Sequence, residues 1–160
     1  KLSPTGAKLS ADLFGMTTTN TDDLNIGQVL ERTLPYFDYV MPMVYPSHYP
    51  PYFNGWKNPN LQVYGVVNFS MSHAVSRAEA TTTPIYLMGE SRIGTSTPPK
   101  YTKKPENRLK LRPWLQDFQY GGTYGATEVR AQIRATYDAG LTSWILWDPA
   151  NKYTLGALEK

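Results

Sequence analysis

Three aspartates stand where a strand would hand its side chains to a site. Asp12, Asp117 and Asp148 each fall near the C-terminal end of an apolar run. Cleavage of a glycosidic bond uses two carboxyl groups flanking that bond, about 5–5.5 Å apart when configuration is retained and about 6.5–9.5 Å when it is inverted. No glutamate occupies a comparable place, so Asp12 and Asp117 are the candidates for acid, base or nucleophile. Each has a structural alternative. Asp12 could cap the turn that follows it or pair with Arg112, Asp117 could order its own loop, and Asp148, just before Pro149, suits a turn as well as a ligand.

Around these carboxylates lie side chains suited to a polar ring with apolar faces. Tyr45, Ser47, His48 and Tyr49 form the densest polar-aromatic cluster. There, imidazole and phenol can hydrogen-bond hydroxyls while the rings stack; alternatively, His48 only braces its loop. Arg112, Trp114 and Gln116 alternate with Pro113 and Leu115, so they share one face of a strand. An inward arginine needs a carboxylate partner, with Asp12 first in line and Asp117 second. Trp114 and Trp147 could floor a sugar site or fill the core. The candidate substrate-binding set is Tyr45, His48, Tyr49, Arg112, Trp114, Gln116, Trp147 and Asp148. Tyr36, Phe37, Tyr39 and Trp144 are assigned to the core, and His73 to a solvated or packing role on a helix. No second histidine or paired carboxylate lies at ligand spacing from His48, so no metal is expected, and no cofactor is implied.

The elements that must position these residues follow from period and punctuation. Ala7 to Phe14 reads as a strand ending at Gly15. Asp22 and Asp23 precede a helical face of Ile26, Val29, Leu30 and Leu34, closed by Pro35. Asp38 to Val44 is a second strand, apolar enough to be buried on both faces, with Pro42 predicting a bulge or an early end. A helix starts at Pro59 and buries Val63, Val67, Met71, Ala74 and Ala78. Residues 81–107 are rich in proline and lack a period, so they read as an irregular insertion with a short helical turn near Pro84 to Met88. Leu109 to Gln116 is the third strand. Val129, Ile133 and Tyr137 mark a third helix stopped by Gly140. Leu141 to Trp147 is the fourth strand, and Tyr153 to Leu158 a final short helix.

The order βαβαβαβα predicts an α/β fold with parallel strands and right-handed crossovers. Long loops rich in Asp, Tyr, His and Trp follow the strands, while plainer ones precede the second and fourth. That asymmetry is the one expected of a (β/α)8 TIM barrel, whose sites collect at the C-terminal ends of strands. Four units make half of one. No glycine-rich phosphate loop follows the first strand, which argues against a dinucleotide-binding sheet.

Composition narrows the rest. The 160 residues suffice for a single domain over 1–160. Cysteine is absent, which excludes disulfides and a thiol nucleophile. A net charge of +3 is too weak to argue for nucleic acid. Its basic cluster of Arg92, Lys100, Lys103, Lys104, Arg108, Lys110 and Arg112 reads as a solvated loop. No membrane span and no targeting segment are evident. Aromatic residues reach 13%, with twelve Tyr and four Trp, as sugar-binding loops or an aromatic core would both require.

Five stretches carry a resemblance. They are Ser10-Ala11-Asp12-Leu13-Phe14-Gly15; Ile26-Gly27-Gln28; Pro42-Met43-Val44-Tyr45-Pro46-Ser47-His48-Tyr49; Arg112-Pro113-Trp114-Leu115-Gln116-Asp117-Phe118; and Trp144-Ile145-Leu146-Trp147-Asp148 with Asn151 and Tyr153. Together they resemble a bacterial family of glycoside-hydrolase-like proteins, a domain of unknown function in the TIM-barrel glycosidase group, through nearly the whole chain. The resemblance implies the C-terminal half of a barrel acting on or binding carbohydrate. An acidic motif that the family carries on an earlier strand has no counterpart here, so catalysis by this stretch alone is not expected. A carbohydrate-binding or scaffold module is the alternative. The implied partners are an oligosaccharide or polysaccharide, and either the missing N-terminal half-barrel or a second copy of the chain. Location is left open, with an extracellular or cell-envelope setting favoured.

Overall fold

A computed structural model of the chain describes residues 3–94 and 97–158. Lys1 and Leu2 of the opening segment, Thr95 and Ser96 of the proline-rich excursion, and the last two residues lie outside the described residues. In chain order the elements are β1 (Ser10–Phe14), α1 (Leu30–Thr33), β2 (Tyr39–Met43), α2 (Val63–Glu79), β3 (Thr82–Thr83), β4 (Arg92–Ile93), β5 (Lys100–Thr102), β6 (Trp114–Gln116), α3 (Ala126–Asp138) and β7 (Ile145–Trp147), with short 3-10 turns between them.

Four strands form one parallel sheet in the order β1-β2-β6-β7, the order in which the chain visits them. Alternation sorts their side chains onto two faces. Leu13, Val40, Val44 and Leu115 point to one side and are buried. There they meet Val66, Val67, Met71, Ala74 and Ala78 of α2, along with Leu30, Leu34, Ala135 and Leu141. Asp12, Phe14, Tyr39, Met41, Met43, Trp114, Ile145 and Trp147 occupy the alternate positions and none of them is buried, whereas Gln116, of the same parity at the end of β6, is. The sheet therefore has one covered face and one open face.

Pro42 neither bulges β2 nor ends it. Parallel pairing to β1 runs unbroken through Leu13↔Pro42 and Phe14↔Met43. The interruption falls on the other edge, where β2 meets β6 only at Val40↔Leu111 and Met43↔Trp114. The offset between partners is the same at both points, so no residue is inserted. Val40 O accepts from Arg112 N at 3.0 Å and Val44 N donates to Trp114 O at 3.1 Å. The position between them, where a donor toward β6 would sit, is the proline.

The first helix is shorter than its apolar spacing predicts. Asp22 and Asp23 do not cap it. Their carboxylates accept from Leu24 N at 3.2 Å and Asn25 N at 3.0 Å, closing turns that compete with helix. Leu24, Asn25 and Gly27 all take positive φ, so α1 begins only at Leu30, and Ile26 is left 48% exposed. Three further expectations are corrected. The 81–107 excursion holds a small antiparallel sheet, β3-β5-β4, instead of a helical turn at Pro84 to Met88. The third strand keeps only its last residues, because Arg108–Lys110 form a 3-10 turn. Tyr36, assigned to the core, is exposed.

Part of the basic cluster is engaged with the chain itself, while Arg92, Lys100 and Lys104 are exposed as a solvated loop requires. Lys103 is buried, and its ammonium donates to the Ala78 carbonyl at 2.8 Å, satisfying the C-terminal turn of α2. Arg108 pairs with Glu79, and Lys110 with Glu106. Among the described residues, no helix is long and apolar enough to cross a membrane.

At Gly15 the chain leaves β1 and crosses the end of β2. A Cβ there would collide with the Met43 carbonyl and stand 2.7 Å from the Tyr49 hydroxyl. The carbonyl is backbone and cannot swing aside. Gly15→Ala is therefore expected to cost about 1–3 kcal/mol, as overpacking does, read as a lower urea midpoint with an unchanged slope.

Candidate functional site

The open face and the loops at the C-terminal ends of the strands share one group of side chains. Asp12 on β1 and Trp114 on β6 reach toward each other across β2, and the indole Nε1 donates to Asp12 Oδ1 at 2.8 Å. Trp147 on β7 meets Trp114 edge to face, with ring centroids 5.9 Å apart. The indole thus holds one oxygen of an exposed carboxylate.

Arg112 lies on the same face but pairs with neither aspartate. Its guanidinium stacks 3.9 Å above the Tyr39 ring, and Nε donates to Ser143 Oγ at 3.1 Å. Cation–π attraction takes the place of the expected ion pair, and Tyr39 becomes a platform for arginine instead of a core residue.

Asp117 and Asp148 are committed elsewhere. Asp117 is 3% exposed. Its two oxygens accept from Thr154 Oγ1 at 2.6 Å and Thr154 N at 2.7 Å, so it ties the last loop to the end of β6. Asp148 Oδ1 accepts from Ala150 N at 2.6 Å and Lys152 N at 3.3 Å, closing its own turn. Of the three aspartates, Asp117 alone has both oxygens engaged; Asp12 and Asp148 each bond through one, and of these two Asp12 is exposed and Asp148 buried.

Beyond β2 the chain turns through Pro46–His48. Tyr45, His48, Phe118, Tyr120, Trp147 and Pro149 line a shallow cavity of about 410 Å³. The His48 ring lies 5.4 Å from Tyr45 and 5.8 Å from Tyr120, centroid to centroid. Burial pushes the Tyr45 hydroxyl's pKa up, and the nearby negative charge of Asp12 pushes it further. Tyr45 is therefore a neutral donor beside Asp12 at neutral pH.

Tyr49, four residues on, turns the other way. It is buried against Phe53, and its hydroxyl lies 3.0 Å from Ser70 Oγ on α2. His73 is an exposed helix residue, with Nδ1 2.8 Å from Phe69 O. Among the described residues, no cluster of three His, Asp or Glu side chains could hold a metal.

Three contributors escaped the sequence reading. Phe118 and Tyr120 form the far wall of the cavity, and Gln132 on α3 holds β6 where β2 has ended. Gln132 Oε1 accepts from Gln116 N, and its Nε2 donates to Gln116 O, each at 2.8 Å. A buried glutamine three residues after the buried Val129 was the available signal.

Burial likewise raises the pKa of Tyr49 and Tyr124. Below the ordinary tyrosine value of 10.0 both folded and unfolded chains carry neutral phenols, so stability does not change with pH on this account. Above it the unfolded chain ionises while these three stay neutral, and stability falls as pH rises. Ultraviolet titration is expected to show exposed tyrosines ionising first. Tyr45 should follow at higher pH, and Tyr49 and Tyr124 should ionise together with cooperative unfolding, detected by loss of far-ultraviolet ellipticity.

The chain is a mixed α/β fold built on a four-strand parallel sheet. The chain matches the family described as "putative glycosyl hydrolase domain" over residues 1–153, and it belongs to that family. No curated protein and no solved structure matches it.

Proposed function

We propose that this chain is the C-terminal half of a (β/α)8 barrel whose mouth receives an oligosaccharide or polysaccharide, as part of a glycoside-hydrolase-like site. The observation that carries the reading is the open face: a carboxylate pinned by one tryptophan, beside a second tryptophan, at the C-terminal ends of parallel strands. Aromatic faces stack on sugar rings, while carboxylate, phenol and imidazole meet the hydroxyls. Strand order equal to chain order, with helices packed on one face, supports barrel winding over a doubly wound sheet, which covers both faces.

In this reading Asp12 is the reacting or substrate-orienting carboxylate. Tyr45, His48, Arg112, Trp114, Gln116 and Trp147 shape the groove, while Asp117, Asp148 and Tyr49 brace it from behind. Hydrolysis needs a second carboxyl, which a missing N-terminal half-barrel, or a second copy of the chain, would contribute along with cover for the apolar open face. That Asp12 is the one exposed carboxylate of the three favours a second reading for the chain by itself, namely a binding module without catalysis.

The test is release of reducing ends from a panel of α- and β-linked glucans and peptidoglycan-type glycans. It would be run on this chain and on a form extended to eight strands. Release by the extended form alone supports a split active site. Binding without release by either form supports the binding module, and neither binding nor release rejects both.

A further inference from the structure

The hydrogen bonds behind the cavity run in series and leave a single consistent assignment of protons. The Gln116 side chain is fully buried. Its Nε2 donates to Phe118 O at 3.1 Å, so Oε1 is the atom turned toward Ser47. There it accepts from Ser47 N at 3.3 Å and from Ser47 Oγ at 2.8 Å. Flipping the amide would set oxygen against the Phe118 carbonyl and nitrogen against the Ser47 N–H, losing both bonds. A serine hydroxyl has one hydrogen, and Ser47 gives it to Gln116. Ser47 Oγ, 2.9 Å from His48 Nδ1, can then only accept, so Nδ1 carries the proton. In a neutral imidazole, Nε2 is left as a bare lone pair.

We propose that Gln116 and Ser47 are positioning residues that hold His48 in the Nδ1–H tautomer. Its Nε2 is then presented to the Tyr45–Tyr120–Trp147 cavity as an acceptor for a ligand hydroxyl. That the hydroxyl belongs to a sugar rests on the carbohydrate reading above. The subsite selects for a hydrogen-bond donor, so a deoxy or O-methylated sugar at that position loses the contact. Gln132 completes the device by fixing the Gln116 backbone from α3, so the side chain starts from a set position.

The chain has two histidines, which makes the test direct. Long-range proton–nitrogen spectra at mildly alkaline pH, where imidazole side chains are neutral, distinguish the two tautomers. His73 is an internal reference, since its Nδ1 faces the Phe69 carbonyl, which can only accept. Both rings are expected as Nδ1–H. Ser47→Ala should move His48 toward the Nε2–H form that free imidazole prefers, leaving His73 unchanged, and Ser47→Thr, which keeps the hydroxyl, should restore it. His48 found as Nε2–H in the unaltered chain, or unmoved by Ser47→Ala, overturns the proposal. Cello-, malto- and chito-oligosaccharides then serve as probes. Saturation by one of them should shift the His48 Nε2 resonance, and Ser47→Ala should weaken that binding roughly three- to tenfold, as for one neutral hydrogen bond. The predicted tautomer with no sugar moving the resonance upholds the relay and removes the carbohydrate reading.

Discussion

Glu31→Ala is expected to destabilise the chain by about 3–5 kcal/mol, the cost of leaving a buried charge without its partner. The Glu31 side chain is 2% exposed and that of Arg77 15%. The pair is bidentate, through Arg77 Nε to Glu31 Oε1 at 2.7 Å and Nη2 to Oε2 at 2.5 Å. Arg77 Nη1 also donates to the Thr17, Thr18 and Asn20 carbonyls at 2.7, 3.0 and 2.8 Å. These carbonyls close the 3-10 turn Gly15–Thr18, which directly follows β1. One guanidinium on α2 therefore holds the segment that leaves Asp12's strand and ties it to α1. Removing the carboxylate leaves the largely buried guanidinium with backbone carbonyls as its only hydrogen-bond partners given by the structure. For a chain of this size the melting temperature should fall by on the order of 10 °C. Arg77→Lys should recover little, because an ammonium cannot reproduce the planar fork. Thermal unfolding followed by circular dichroism measures both, and a Glu31→Ala loss below about 1 kcal/mol would show that the pair is not a structural tie.

That pair marks the boundary of what the sequence discloses. The strands were legible because their alternation and their ends are local, and α2 and α3 because their buried residues keep one helical face. The placement of the candidate side chains was legible only in part: Trp114 and Gln116 share parity, yet Trp114 stays on the open face while Gln116 is buried at the strand's end. Parity also carried information left unused. Asp12 alternates with the buried Leu13, which turns it to the open face, whereas Asp117 shares the parity of the buried Leu115. What could not be read depends on long-range closure. Glu31 and Arg77 lie 46 residues apart, and nothing near either names the other. Arg112 was expected to seek a carboxylate and found the Tyr39 ring, since β2, the strand that carries Tyr39, stands between it and Asp12. Helix α1 was overestimated because apolar spacing does not register Leu24, Asn25 and Gly27 in left-handed backbone. The short strands β3 to β5 carry too few residues to show a period.

Asp12→Asn is expected to leave the fold intact and remove the chemistry. The substituted carboxamide keeps an oxygen for Trp114 Nε1 at nearly the same place, and the site is exposed, so the stability change should stay within about 0.5 kcal/mol. The charge is lost, and with it any role as acid, base or nucleophile. In a form completed to eight strands, glycan release should drop by roughly 10²–10⁴-fold, the usual worth of a positioned acid or base, with binding largely retained. A second readout does not depend on activity. The Asp12 carboxylate contributes to the raised pKa of Tyr45, so in Asp12→Asn that phenol should ionise at lower pH than in the parent chain, while Tyr49 and Tyr124, where no Asp12 contribution enters, keep their behaviour. Trp114→Phe makes the complementary cut, leaving the charge but releasing its hydrogen bond. If the indole orients a reacting carboxylate, this variant should lose rate by less than Asp12→Asn and retain the Tyr45 shift. Undiminished release by Asp12→Asn, with Tyr45 shifted as expected, would place the carboxylate at the mouth as a charge that tunes Tyr45, and move the reacting group off this chain.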